Sequence, residues 1–282
     1  MKLPQNISDV SIVSCEYQYS HVPLGFCDIS ECELGNGDCF GLYWPIGQEN
    51  KEPIMCEFLH DEGRLHPVFS SLERFIKCAE LVDFEWFDAS SQEFIDYSSP
   101  RSLFVEAKAL QRPETLSESV QILQTLIKYF PEYTDANNLL AKSFRLENKN
   151  EEALLAAMQA LISPPCFGLV DVHVIHQIQS FDGEAPRCKN NPLFIKRQAI
   201  DWNFGGKKTN DTYSIMLDAI AFYENENDFI SASSLAQTYA QYISSETISF
   251  QERYGFNNID FIARQKTIAS HLPAGGRTLR LS

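Results

Sequence analysis

The sequence predicts an α+β N-terminal domain, mainly an antiparallel sheet with one packed helix, followed by an all-α helical-repeat domain. Three observations lead there. Within residues 31–73, three apolar runs alternate with turns and end at a helix-start signal. From Leu103 onward the apolar spacing changes from the period of a strand to that of a helix. Small residues and prolines then recur about 34 residues apart, a period suited to stacked helical hairpins.

Residues 11–19 form an apolar run, followed by His21-Val22-Pro23-Leu24-Gly25, and read as a lead-in segment or edge strand. The run 29–34 enters Gly35-Asn36-Gly37-Asp38, whose glycines supply the positive φ of a tight hairpin before the run 39–44. Strand alternation places Cys39, Gly41 and Tyr43 on one face and Phe40, Leu42 and Trp44 on the other. Pro45 and a polar loop end this strand, and Ile54, Cys56 and Phe58 resume the alternation in a third. His60-Asp61-Glu62-Gly63 makes the next turn. Ser70 and Glu73 form a capping box ahead of Leu72, Phe75, Ile76 and Ala79, which share one helix face. An aromatic-acidic segment at 82–88 and a polar stretch around Ser98-Ser99-Pro100 put the domain boundary near residue 100, giving domains 1–100 and 101–282.

The string ELGNGDCFGLYWPIG, followed by EPIMCEFLHDEGRLHPVFSSLERF, resembles the SUKH superfamily over roughly residues 25–82. Members of that superfamily include yeast cell-wall synthesis regulators and bacterial immunity proteins. The resemblance implies a sheet closed by a helix and a non-catalytic protein that neutralises a toxin domain by direct binding.

In the helical part, Thr115 and Glu118 form a second capping box, and Val120, Leu123 and Ile127 continue its stripe until Pro131. Leu140, Ala141, Phe144, Ala153, Ala157, Ala160 and Pro165 stand at the spacings of a tetratricopeptide repeat. One repeat earlier, Ala107, Leu110, Leu123 and Pro131 hold corresponding places, with Ser119 where alanine is expected. This resembles one good repeat preceded by a degenerate one; a generic helical hairpin is the alternative. The turn formers of residues 164–210 predict an irregular connection with one or two short helices. Helices resume over 213–225, 228–244 and 259–271, and the tail 274–282 carries no apolar period.

Of 38 acidic and 23 basic residues, 18 and 5 fall within residues 1–100, so most of the net charge of −15 belongs to the first domain. That field disfavours nucleic acid and favours a basic protein partner, such as a basic toxin domain. With 44% hydrophobic residues, no apolar run near the roughly 18 residues of a membrane span and no signal-peptide core, a cytoplasmic location is expected, with reduced, buried thiols.

Candidate chemistry is sparse. His60-Asp61 matches the residue pair of the HD phosphohydrolase metal sites, but His21 and His66 are not spaced to complete one. His173 and His176 could share a helix face without a third ligand nearby. There is no phosphate loop and no nucleophile elbow. Neither an enzymatic activity nor a cofactor or metal is expected. Binding is. Tyr43 and Trp44, beside Asp38 and Glu57, have the character of aromatic anchors with a charged rim, of which alternation sends one to the core. Asp61 and Glu62 add to the acidic face. In the helical domain Asn137, Asn138 and Lys142 are suited to clamping a peptide in a concave groove, for instance one of an endogenous partner bound by a regulatory scaffold.

Overall fold

The computed structural model describes residues 12–13, 23–33, 37–79 and 96–273. The segment 82–88, the tail 274–282 and the Gly35-Asn36 half of the hairpin turn lie outside the described residues. Five antiparallel strands follow one another in chain order: β1 (Ile12–Val13), β2 (Phe26–Glu33), β3 (Cys39–Tyr43), β4 (Ile54–Leu59) and β5 (Arg64–Phe69). The expected edge strand is thus represented by β1, which pairs with β2 through Ile12–Ile29 and Val13–Asp28.

Strand β5 was hidden in the sequence by Pro67. Proline gives no N–H to a ladder, and it is tolerated here because β5 is the sheet's edge. Helix α1 (Leu72–Ala79) follows at once. Its start differs from the expected capping box: Ser71 Oγ accepts from the Arg74 N–H at 3.2 Å, while Ser70 donates its N–H and hydroxyl to Asp96, both at 2.7 Å. Ser70 therefore ties the sheet to the chain entering the helical region rather than capping α1.

The alternation in β3 runs as expected, and each face has its own helical cover. Phe40, Leu42, Trp44, Met55 and Phe69 pack with Leu72, Phe75 and Ile76 of α1. Cys39, Tyr43, Cys56, Phe58 and Leu65 point the other way, into one continuous core with the helical array. The sheet is a middle layer. The boundary near residue 100 marks a change of secondary structure, while the core runs across it.

The array begins with α2 (Pro100–Ala109), whose start is fixed by proline in the first turn and by Ser99 Oγ accepting from the Ser102 N–H. Helices α3 (Leu116–Tyr129), α4 (Thr134–Leu146) and α5 (Asn150–Ile162) follow. The pair α4/α5 repeats α2/α3 at a 34-residue step, Pro100 to Thr134 and Leu116 to Asn150. Ala107 and Ala141 are fully buried, as close helix contact demands. Ser119 is accommodated because its hydroxyl donates to the Ala107 carbonyl at 2.7 Å and accepts from Gln111, whose amide also reaches Ser143. The second capping box does not close: Thr115 Oγ1 donates to the Leu110 carbonyl instead.

Two short helices, α6 (Val172–Gln179) and α7 (Pro192–Ile195), and two single 3-10 turns occupy the irregular connection. Then come α8 (Thr212–Asn225), α9 (Phe229–Ser244), the six-residue α10 (Ile248–Arg253), too short to show a period in the sequence, and α11 (Asn258–Ala269). Among the described residues no helix is long and apolar enough to cross a membrane.

One buried group joins the two halves. Glu132, with no exposed surface, accepts from the Tyr43 hydroxyl at 2.5 Å and from the Ile46 N–H at 2.7 Å. The Tyr43 ring meanwhile packs on Phe130 and Phe167, with centroids 5.6 and 4.8 Å away. A buried carboxylate stripped of a donor retains its desolvation cost, so Tyr43→Phe is expected to lower unfolding stability by about 1–3 kcal/mol. Urea denaturation of the two proteins measures it, with an unchanged slope if only this bond is lost.

Candidate functional site

Helices α2 and α4, the first of each pair, and α6 line a groove of about 790 Å³. Its apolar floor includes Phe104, Leu139, Val170 and Val174. Leu146 and Leu169, 57% and 61% exposed, stand at its margin. Isolated leucines on a surface are ordinary; these two border the same concavity. Lys108, Lys142 and Arg145 bring three cations to the same groove.

Local chemistry fixes the groove's wall. Gly168 turns the chain with φ +135, and a Cβ there would collide with the Asp135 carboxylate and lie 2.7 Å from the Asp135 nitrogen. Beyond it, Asn138 donates from Nδ2 to the Leu169 carbonyl at 2.7 Å and accepts the Asp171 N–H at 3.2 Å. Asp171 in turn caps α6 by accepting from the His173 N–H at 2.8 Å. Asp135 pairs with Arg64 of β5 at 3.7 Å, and burial raises its carboxyl above the usual range against the pull of Arg64 and Lys108.

The sequence-derived residues divide accordingly. Lys142 is exposed in the groove. Asn138 lines it, but spends its amide on holding the α5–α6 connection, and Asn137 is wholly buried, donating to the Pro131 and Tyr133 carbonyls. Asn137 is therefore not available to clamp a peptide. Neither Tyr43 nor Trp44 is an exposed anchor: they are 0% and 3% exposed, because each sheet face is covered by helices. Among the described acids of the sheet, Asp28 of β2 is buried. Glu57 is half-buried in β4 opposite His66.

Asp38, Asp61 and Glu62 gather at the sheet's end. His60 contributes its N–H and Nδ1 to Asp38 Oδ1, each at 2.9 Å, while Nε2 lies 2.9 Å from Asp61 Oδ1. Gly37, at φ +98, leaves room for the imidazole, which a Cβ would approach to 3.0 Å. Asp61 and Glu62 remain exposed. Among the described residues no group of three His, Cys, Asp or Glu side chains is placed to hold a metal ion.

Lys108, Arg145, Leu146 and Leu169 were not singled out in the sequence. Lys108 could have been, since it stands 34 residues before Lys142 at the same helix position. Leu169 belongs to a connection whose course no local pattern gives.

A three-layered α+β unit whose sheet runs directly into stacked helical hairpins, with a groove on their inner side, defines the class of this protein. The chain belongs to the YfbP family. Its residues 11–88 match the model of the YfbP N-terminal domain and residues 203–278 that of the YfbP C-terminal domain. A protein of Escherichia coli, YfbP, described as uncharacterized, is 36% identical over 259 residues, covering 91% of each chain. No solved structure matches. The groove-lining helices α2, α4 and α6 fall between the two matched domains.

The His60 cluster makes stability depend on pH. The hydrogen bond to Asp38, with the charge of Asp61, raises the His60 pKa above its ordinary value. The protonated ring is thus favoured by folding, and its contribution is complete below the unfolded value of about 6.5 and lost as pH rises through the raised one. The Tm difference between the wild type and His60→Gln should be positive below about pH 6.5 and shrink as the pH rises through the raised value; a difference flat with pH would contradict this. Separately, Gly168→Ala should destabilise by about 1–3 kcal/mol in chemical denaturation, because the residue is held at positive φ against α4.

Proposed function

We propose that this chain is a non-catalytic protein-binding protein and that its contact surface is the groove of α2, α4 and α6. The observation that carries the reading is the joint placement of exposed Leu146 and Leu169 with Lys108, Lys142 and Arg145 around one concavity. Stacked helical hairpins of the tetratricopeptide kind present such a surface to an extended segment of a partner. The sheet serves as the wall against which the array is built, and the protein acts as a regulatory scaffold for an endogenous partner.

A second reading, blocking of a basic toxin domain as the SUKH resemblance implies, draws on the exposed carboxylates Asp61 and Glu62 at the β4–β5 turn. Among the described residues both sheet faces are packed against helices.

Capture from a native lysate separates the two. Leu146→Asp with Leu169→Asp should abolish capture of a partner that the wild type retains, with Tm changed little because both side chains are exposed. Asp61→Lys with Glu62→Lys should leave that capture intact. The opposite pattern would remove the scaffold reading and favour the second.

A further inference from the structure

We propose that the groove receives an acidic segment of a partner protein in which aliphatic side chains alternate with carboxylates. This rests on the reading of the groove as the contact surface and adds the chemistry of its occupant. The groove's own anions are committed within the fold, Asp135 to Arg64 and Asp171 to the N-terminus of α6. Its cations are less so: Lys108 pulls on the Asp135 carboxyl without closing an ion pair, and Lys142 and Arg145 make no ion pair among the described residues.

These three charges are ordered. Lys108 and Lys142 occupy equivalent positions on α2 and α4, which start 34 residues apart, and Arg145 follows Lys142 by three residues on the same helix face. A row of cations thus runs beside an apolar floor. An occupant that uses both surfaces carries negative charge and aliphatic bulk at short intervals. A nucleic acid fits less well: among the described residues the groove lining offers two rings for stacking, Phe104 and His173, and the chain's net charge of −15 opposes a polyanion at long range. A short acidic segment carries little total charge and is drawn in by the local field.

The test uses fluorescence anisotropy of full-length protein with three labelled decapeptides in which leucine alternates with glutamate, glutamine or lysine. The glutamate peptide should bind about tenfold more tightly than the glutamine peptide at low salt and lose that advantage in high salt. Lys142→Glu with Arg145→Glu should remove the preference, whereas Lys128→Glu, exposed on α3 and not part of the groove lining, should preserve it. Equal binding of the glutamate and glutamine peptides, or tighter binding of a single-stranded DNA oligonucleotide, overturns the inference. So does failure of all three peptides. If the leucine variants still abolish partner capture in those cases, the groove reading stands and only the acidic occupant is lost; if capture is also unaffected, both fall.

Discussion

The architecture depends on a carboxylate that has no access to water. Glu132 sits in the turn between α3 and α4, where the two helical pairs meet, and it accepts donors from Tyr43 and Ile46, some ninety residues earlier in the chain by the order of their numbers. A buried carboxylate is costly unless it finds donors, and two of them reach Glu132 Oε1 from β3 and the loop that follows it. The requirement fixes where the sheet meets the array. Around it Tyr43, Phe130 and Phe167 pack ring against ring, so the polar tie is surrounded by apolar contact that excludes water.

This arrangement makes the sheet a shared wall. On one side it is closed by α1, on the other by the helices, with secondary ties where Leu24 donates to Gln237 of α9 and Arg64 meets Asp135 of α4. Among the described residues both faces of this middle layer are covered. Aromatic side chains that would be anchors on an open sheet become core, and the recognition proposed for this chain falls to the inner side of the helical pairs.

There the groove takes its shape from chain connections as much as from helices. Gly168 permits a backbone course that brings α6 beside α4, and Asn138 holds that course by bonding both Leu169 and Asp171. The exposed Leu169 owes its position at the margin to these two residues. The cations arise differently, from repetition: a 34-residue step carries Lys108 onto the place of Lys142.

The sequence by itself determined what depends on local periodicity. The strand alternation that sends Tyr43 and Trp44 to opposite faces, the succession of sheet and helices, and the 34-residue step are short-range properties of apolar spacing, turns and small residues. Strand β5 and helix α10 escaped because one contains proline and the other spans less than two turns. Only the tertiary structure decided which faces stay open. Exposure is a property of what packs on an element from elsewhere in the chain, and nothing in the string around Tyr43 announces that Glu132 and Phe167 will cover it. For the same reason Asn137 and Asn138, neighbours in sequence, part company: one side chain points into the helix contact, and the other reaches a loop some thirty residues on by number.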